Sequence, residues 1–97
     1  MQNRYLDQVK QLILTELGQE PVGVLLFGSR ARGDSNHGSD VDVALVPKVG
    51  QTISRISLLR EKIEDSCIPY KVDLVNLSEV SEDFKQQVLK DAIVWKN

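Results

Sequence analysis

Asp40 and Asp42 stand two residues apart in Asp40-Val41-Asp42-Val43-Ala44-Leu45-Val46, a run that is otherwise apolar. On a strand, positions two apart share a face and lie roughly 6.8 Å from one another along the chain. Val41, Val43 and Leu45 then turn to the opposite face and can enter a core. Two carboxylates side by side repel, and burying either one unpaired is costly. A divalent cation removes both difficulties, because magnesium prefers oxygen ligands and commonly takes one or two carboxylates together with substrate phosphates. Taken alone, the pair fits equally well on the solvated face of an edge strand, although Asp is depleted in strands. Asp73, within Lys71-Val72-Asp73-Leu74-Val75, is a third acid inside an apolar run. If the two acid-bearing strands are neighbours, three carboxylates converge on one patch. Such a set can hold two metal ions roughly 3.5–4 Å apart, the arrangement used for in-line displacement at phosphorus. One of its carboxylates can also accept the proton of an attacking hydroxyl.

Gly28-Ser29 follows the apolar run Val22-Gly23-Val24-Leu25-Leu26-Phe27. A glycine lets a phosphate approach the backbone, and a serine can cap a following short helix, whose N-terminus favours anions. Arg30 and Arg32, one turn further on, could clamp phosphate oxygens with their guanidinium forks; they fit equally as surface charges. Other phosphate and metal patterns fail. There is no P-loop and no Gly-x-Gly-x-x-Gly. The stretch from Asp34 to Asp40 has Ser39 where a calcium loop needs glycine and Leu45 where it needs glutamate. His37 belongs to a polar loop and is expected to be solvated. Cys67 is expected to be a packed free thiol, Trp95 a core or interface residue, and Tyr5 and Tyr70 packing residues.

The elements that must carry these residues follow from periodicity. Leu6, Val9, Leu12, Ile13 and Leu17 fall at helical spacing, with Gly18 as the stop. Val22–Phe27, apolar on both faces, predicts a buried central strand. Gly28 to Ser39 is small and polar, and Asp40–Val46 predicts a second strand ended by Pro47. Ile53, Ile56, Leu59 and Ile63 mark a helix from Thr52 to Ser66, with Arg55, Arg60, Glu61, Lys62 and Glu64 on its solvated face. Lys71–Asn76 predicts a third strand. Ser81 can cap a last helix through Lys90, and Ile93-Val94-Trp95 forms a short apolar end. Strands alternating with helices give an α/β architecture, one small sheet with helices packed on it. The pattern leaves open which strand pairs are parallel.

The chain of 97 residues supports one small domain, residues 1–97, leaving nothing to grip a large substrate. Twelve Lys plus Arg against fourteen Asp plus Glu give a net charge of −2. That balance disfavours extended nucleic acid as the principal ligand. Cys67 has no second cysteine with which to form a disulfide. The N-terminus lacks the apolar core of a signal peptide, and no apolar run approaches the roughly 20 residues that span a bilayer. A cytoplasmic protein without membrane attachment is expected.

The string Leu26-Phe27-Gly28-Ser29-Arg30-Ala31-Arg32-Gly33, followed by Ser39-Asp40-Val41-Asp42, resembles the signature of the DNA polymerase β-like nucleotidyltransferase superfamily: Gly-Ser, ten residues, Asp-x-Asp. The resemblance is strongest to the minimal nucleotidyltransferase (MNT) proteins, antitoxins often paired with HEPN toxins, and covers nearly the whole chain. It implies a mixed α+β sheet of the polymerase β palm type. It also implies that Gly28 and Ser29 hold the β- and γ-phosphates of ATP, the substrate, with Arg30 and Arg32 as further nucleotide contacts. Asp40 and Asp42 would ligate two Mg2+ ions, and Asp73 would bind the catalytic metal and help activate an acceptor hydroxyl. The resulting expectation is AMP transfer to a tyrosine of a separate helical HEPN-type partner. The alternatives are a binding module that neutralises such a partner by occlusion, or a catalytic subunit acting on a small molecule or an RNA end.

Overall fold

The computed structural model describes residues 4–28, 31, 40–48 and 56–97. Helix α1 (Arg4–Leu17) leads into strand β1 (Val22–Phe27). Strand β2 (Val41–Pro47), helix α2 (Ile56–Glu64) and strand β3 (Val72–Asn76) follow. A 3-10 turn (Leu77–Glu79), helix α3 (Glu82–Asp91) and strand β4 (Ile93–Lys96) complete the order. The four strands form one sheet in the order β3-β2-β1-β4. Its central pair, β1 and β2, is antiparallel, as is β1 with β4, whereas β2 and β3 run parallel. The sheet is therefore mixed. Among the described residues no helix is long and apolar enough to cross a membrane.

Strand alternation divides the side chains between two layers. Val22, Val24, Leu26, Val41, Val43, Leu45 and Leu74 meet Val9, Ile13 and Leu17 of α1 and Leu59 and Ile63 of α2 in the larger core. On the opposite face Leu25 and Ala44 pack with Leu77 and Val88, joined at the margin by Phe27, Val46 and Val75. The continuous apolar character of β1 follows from burial on both faces. The two helices on the first face are tied at their surface by Lys62 Nζ and Glu16 Oε2, 2.9 Å apart. Lys62 is half-exposed and Glu16 largely shielded in this pair, and the apolar stripes of both helices are buried beneath it.

Three departures from the sequence reading have physical causes. Pro47 lies inside β2 as its last residue, opposite Val22. Lys48 N donates to Pro21 O across the β1 side, so by alternation the position of Pro47 without N–H points to the other side. There the β3 ladder has already ended at Leu45↔Asn76, and no ladder bond is lost. The apolar end Ile93–Lys96 is a fourth strand on the free edge of β1, with a register irregularity at Val24/Leu25. Four residues with a bulge show too little alternation to announce a strand. Cys67 is exposed rather than packed, because the chain leaves α2 through an irregular stretch before Pro69. The portion of the predicted Thr52–Ser66 helix before Ile56, and His37, lie outside the described residues. Tyr5 and Tyr70 pack edge to face, 5.9 Å between centroids, and Trp95 is half-buried against the larger core.

Candidate active site

The register of the sheet brings the acidic strands together. Phe27 pairs with Asp42, and Asp42 pairs with Asp73, so the three residues form one row across β1, β2 and β3. Alternation from Leu25, Ala44 and Val75 places this row on the face that carries α3, two positions beyond the side chains the helix layer covers. Neighbouring strands lie about 4.8 Å apart, so the two carboxylates stand side by side at the rim of a covered sheet face. The Asp73 side chain is 43% exposed, with Lys71 Nζ at 4.0 Å from its Oδ1. Asp40 sits immediately before β2 and is exposed. Among the described residues no three His, Cys, Asp or Glu side chains are gathered closely enough to hold a metal together. The structure thus brings together a pair, Asp42 and Asp73, with Asp40 at the strand entry. Two carboxylates are within what magnesium takes from a protein when phosphates and water complete its shell, so the donor set fits a hard divalent cation.

Gly28 ends β1 beside this row with φ at +79°. A Cβ built there would lie 2.5 Å from Asp42 Oδ2 and 3.3 Å from its Cγ. Glycine meets two requirements: it takes the left-handed backbone without strain, and it leaves in place the Asp42 carboxylate that a Cβ would push aside. The second requirement depends on the Phe27↔Asp42 register and is invisible in the sequence. Gly28 O accepts from Ala31 N at 3.1 Å, and Ala31 is helical. Ser29, Arg30 and Arg32 lie outside the described residues.

The strand that carries Asp73 is tied to α2 at the next residue. Arg60 Nη2 donates to Leu74 O at 3.2 Å, fixing the outer edge of β3 next to the carboxylate. Helical spacing alone assigned Arg60 to a solvated face; its reach of fourteen residues along the chain could not be read from periodicity. Arg60, Glu64, Tyr70, Lys71 and Asp73 border a cavity of about 450 Å³ along the β3 edge.

A family model described as polymerase beta, nucleotidyltransferase matches residues 8–97. The chain belongs to this nucleotidyltransferase family. It is 32% identical over 71 residues to the probable protein adenylyltransferase MntA of Haemophilus influenzae, covering 73% of this chain and 62% of that protein. The chain thus spans less than two thirds of that relative's length. Among solved structures, one assigned as a minimal nucleotidyltransferase is 26% identical with a TM-score of 0.72, covering 96% of this chain and 95% of the other. A toxin–antitoxin structure with AMP-PNP is 27% identical with a TM-score of 0.69, covering 89% and 71%. The mixed sheet is that of a nucleotidyltransferase fold.

Proposed function

We propose that this nucleotidyltransferase-family protein moves AMP from ATP to a hydroxyl on a HEPN-type helical partner, acting as an antitoxin in the cytoplasm. The observation that carries the reading is the in-register pairing of Asp42 with Asp73 beside the left-handed Gly28. The similarity to a protein named as an adenylyltransferase, and to a toxin–antitoxin structure with AMP-PNP, supports the choice of nucleotide and partner class.

Asp42 and Asp73, with Asp40 at the strand entry as a further carboxylate for a second ion, would hold magnesium, which when bound neutralises charge on the phosphates and the acids alike. Gly28 and Ser29 would cradle the β- and γ-phosphates, with Arg30 and Arg32 available as further phosphate contacts. The acceptor oxygen attacks the α-phosphorus. A new O–P bond forms, the bond from that phosphorus to the bridging oxygen breaks, and pyrophosphate leaves. Asp73, at the rim of the sheet, takes the acceptor proton.

The row is half-buried, whereas phosphoryl chemistry depends on positioning and electrostatic stabilisation in a sheltered site. A partner that supplies the acceptor would also cover the row. The test is incubation of the protein with ATP, magnesium and the HEPN-type partner, followed by detection of AMP on the partner and of released pyrophosphate. The parent is expected to yield both, and Asp42→Asn neither. Pyrophosphate release at equal rates by parent and Asp42→Asn would refute the assignment.

A further inference from the structure

Next to Gly28 lies a cleft of about 180 Å³ lined by Phe27, Gly28, Phe84, Gln87, Val88 and Asp91. Whole small-molecule sites occupy roughly 300–1,000 Å³, so this cleft takes one ring system rather than a complete nucleotide. Its walls have a definite chemistry. Phe27 and Phe84 meet edge to face, 6.2 Å between centroids, and Phe84 remains 38% exposed although it is a large apolar residue. Ser81 Oγ accepts from Phe84 N at 3.2 Å, fixing the first turn of α3 against the sheet. Gln87 and Asp91 are exposed, lie four residues apart, and so share one side of α3 with Phe84. Val88 is buried at the floor.

We propose that this cleft seats the base of the nucleotide whose phosphates lie at Gly28, with Phe84 as the stacking surface and Gln87 and Asp91 reading the base edge. The proposal rests on the nucleotide-transfer reading above. Gly28 lies against Asp42 and also lines the cleft, so a ligand with its phosphates at this glycine can extend its base into the cleft. An ionised Asp accepts hydrogen bonds only, and the Gln amide both donates and accepts. Together they match a base that presents an amino donor next to a ring-nitrogen acceptor, as adenine does. A base carrying a carbonyl at the same position, such as hypoxanthine, would set an acceptor against the Asp91 carboxylate.

Calorimetry with magnesium and three ligands (ATP, ITP and inorganic tripolyphosphate) tests this. The parent is expected to bind ATP more tightly than ITP, and ITP more tightly than tripolyphosphate. Phe84→Ala should weaken ATP binding roughly five- to a hundredfold, the loss of one base–aromatic stack, with tripolyphosphate affinity unchanged. Asp91→Asn should narrow the ATP-over-ITP preference. If Phe84→Ala fails to fold, Gln87→Ala and Asp91→Asn, both at exposed positions, decide the matter. Parent-like ATP affinity and selectivity in these variants would overturn the proposal, as would tripolyphosphate binding the parent as tightly as ATP. Retained ATP affinity with lost modification of the partner would seat the acceptor ring in the cleft instead, and would also overturn it. A parent that binds tripolyphosphate but discriminates no base refutes the base seat alone. A parent that binds neither ATP nor tripolyphosphate removes the nucleotide reading and this proposal with it.

Discussion

Gly28 and Asp42 constrain each other, and substitutions at the two should separate backbone strain from lost chemistry. At φ +79° any L side chain is strained, by about 1–2 kcal/mol, and a Cβ at Gly28 also displaces the Asp42 carboxylate. Gly28→Ala should therefore lower unfolding free energy by about that amount in a denaturant titration and abolish nucleotide transfer. Asp42→Asn keeps the side-chain shape and relieves like-charge crowding with Asp73, an effect of about 0.2–1 kcal/mol across strands. A thermal melt without magnesium should show it at least as stable as the parent, and addition of magnesium should raise the parent's Tm more than the variant's. Severe unfolding of Asp42→Asn would assign the residue to structure. At this scale the types and spacing of Gly28, Asp40, Asp42 and Asp73 were legible in the sequence, because acids inside apolar strands have few structural explanations. The contact between Gly28 and Asp42, and the aromatic cleft beyond it, were not. Both depend on how β1 is registered against β2 and on where α3 docks.

The elements that place this row were legible in proportion to their length and regularity. The spans of β1 and of α3 with its Ser81 cap follow directly from apolar runs and capping chemistry. The direction of β3 relative to β2, the fourth strand at Ile93–Lys96 and the reach of Arg60 to Leu74 are tertiary facts with no local signal. The cores on the two faces of the sheet are predicted to respond differently to truncation. Leu59 is fully buried between α2 and the sheet, so Leu59→Ala should cost about 2–5 kcal/mol. The molecules that remain folded should bind ATP as the parent does, because the first face does not touch the acidic row. Ser81→Ala removes the acceptor for Phe84 N and should cost about 0.5–2 kcal/mol. Since Phe84 belongs to that same helical turn, this variant should also weaken ATP binding, whereas Leu59→Ala should not. Matched stability and ATP-affinity measurements on the two variants check the distinction.

For the molecule as a whole, the sheet carries its chemistry on a rim that a partner can reach, and its net charge of −2 gives no general attraction for nucleic acid. In the function proposed above a second protein is the acceptor, and docking is separate from the chemistry. In that proposed function Asp73 takes the acceptor proton, and its side chain is half-exposed on an edge strand, so its loss should stop transfer without disturbing assembly. The most direct measurement is intact-mass analysis of the HEPN-type partner after co-purification with parent or Asp73→Asn in the presence of magnesium and ATP. The expected result is equal recovery of both complexes, with AMP on the partner only in the parent sample. Equal recovery, equal inhibition of the partner's activity and no AMP in either sample would contradict the account and leave a binding module that works by occlusion.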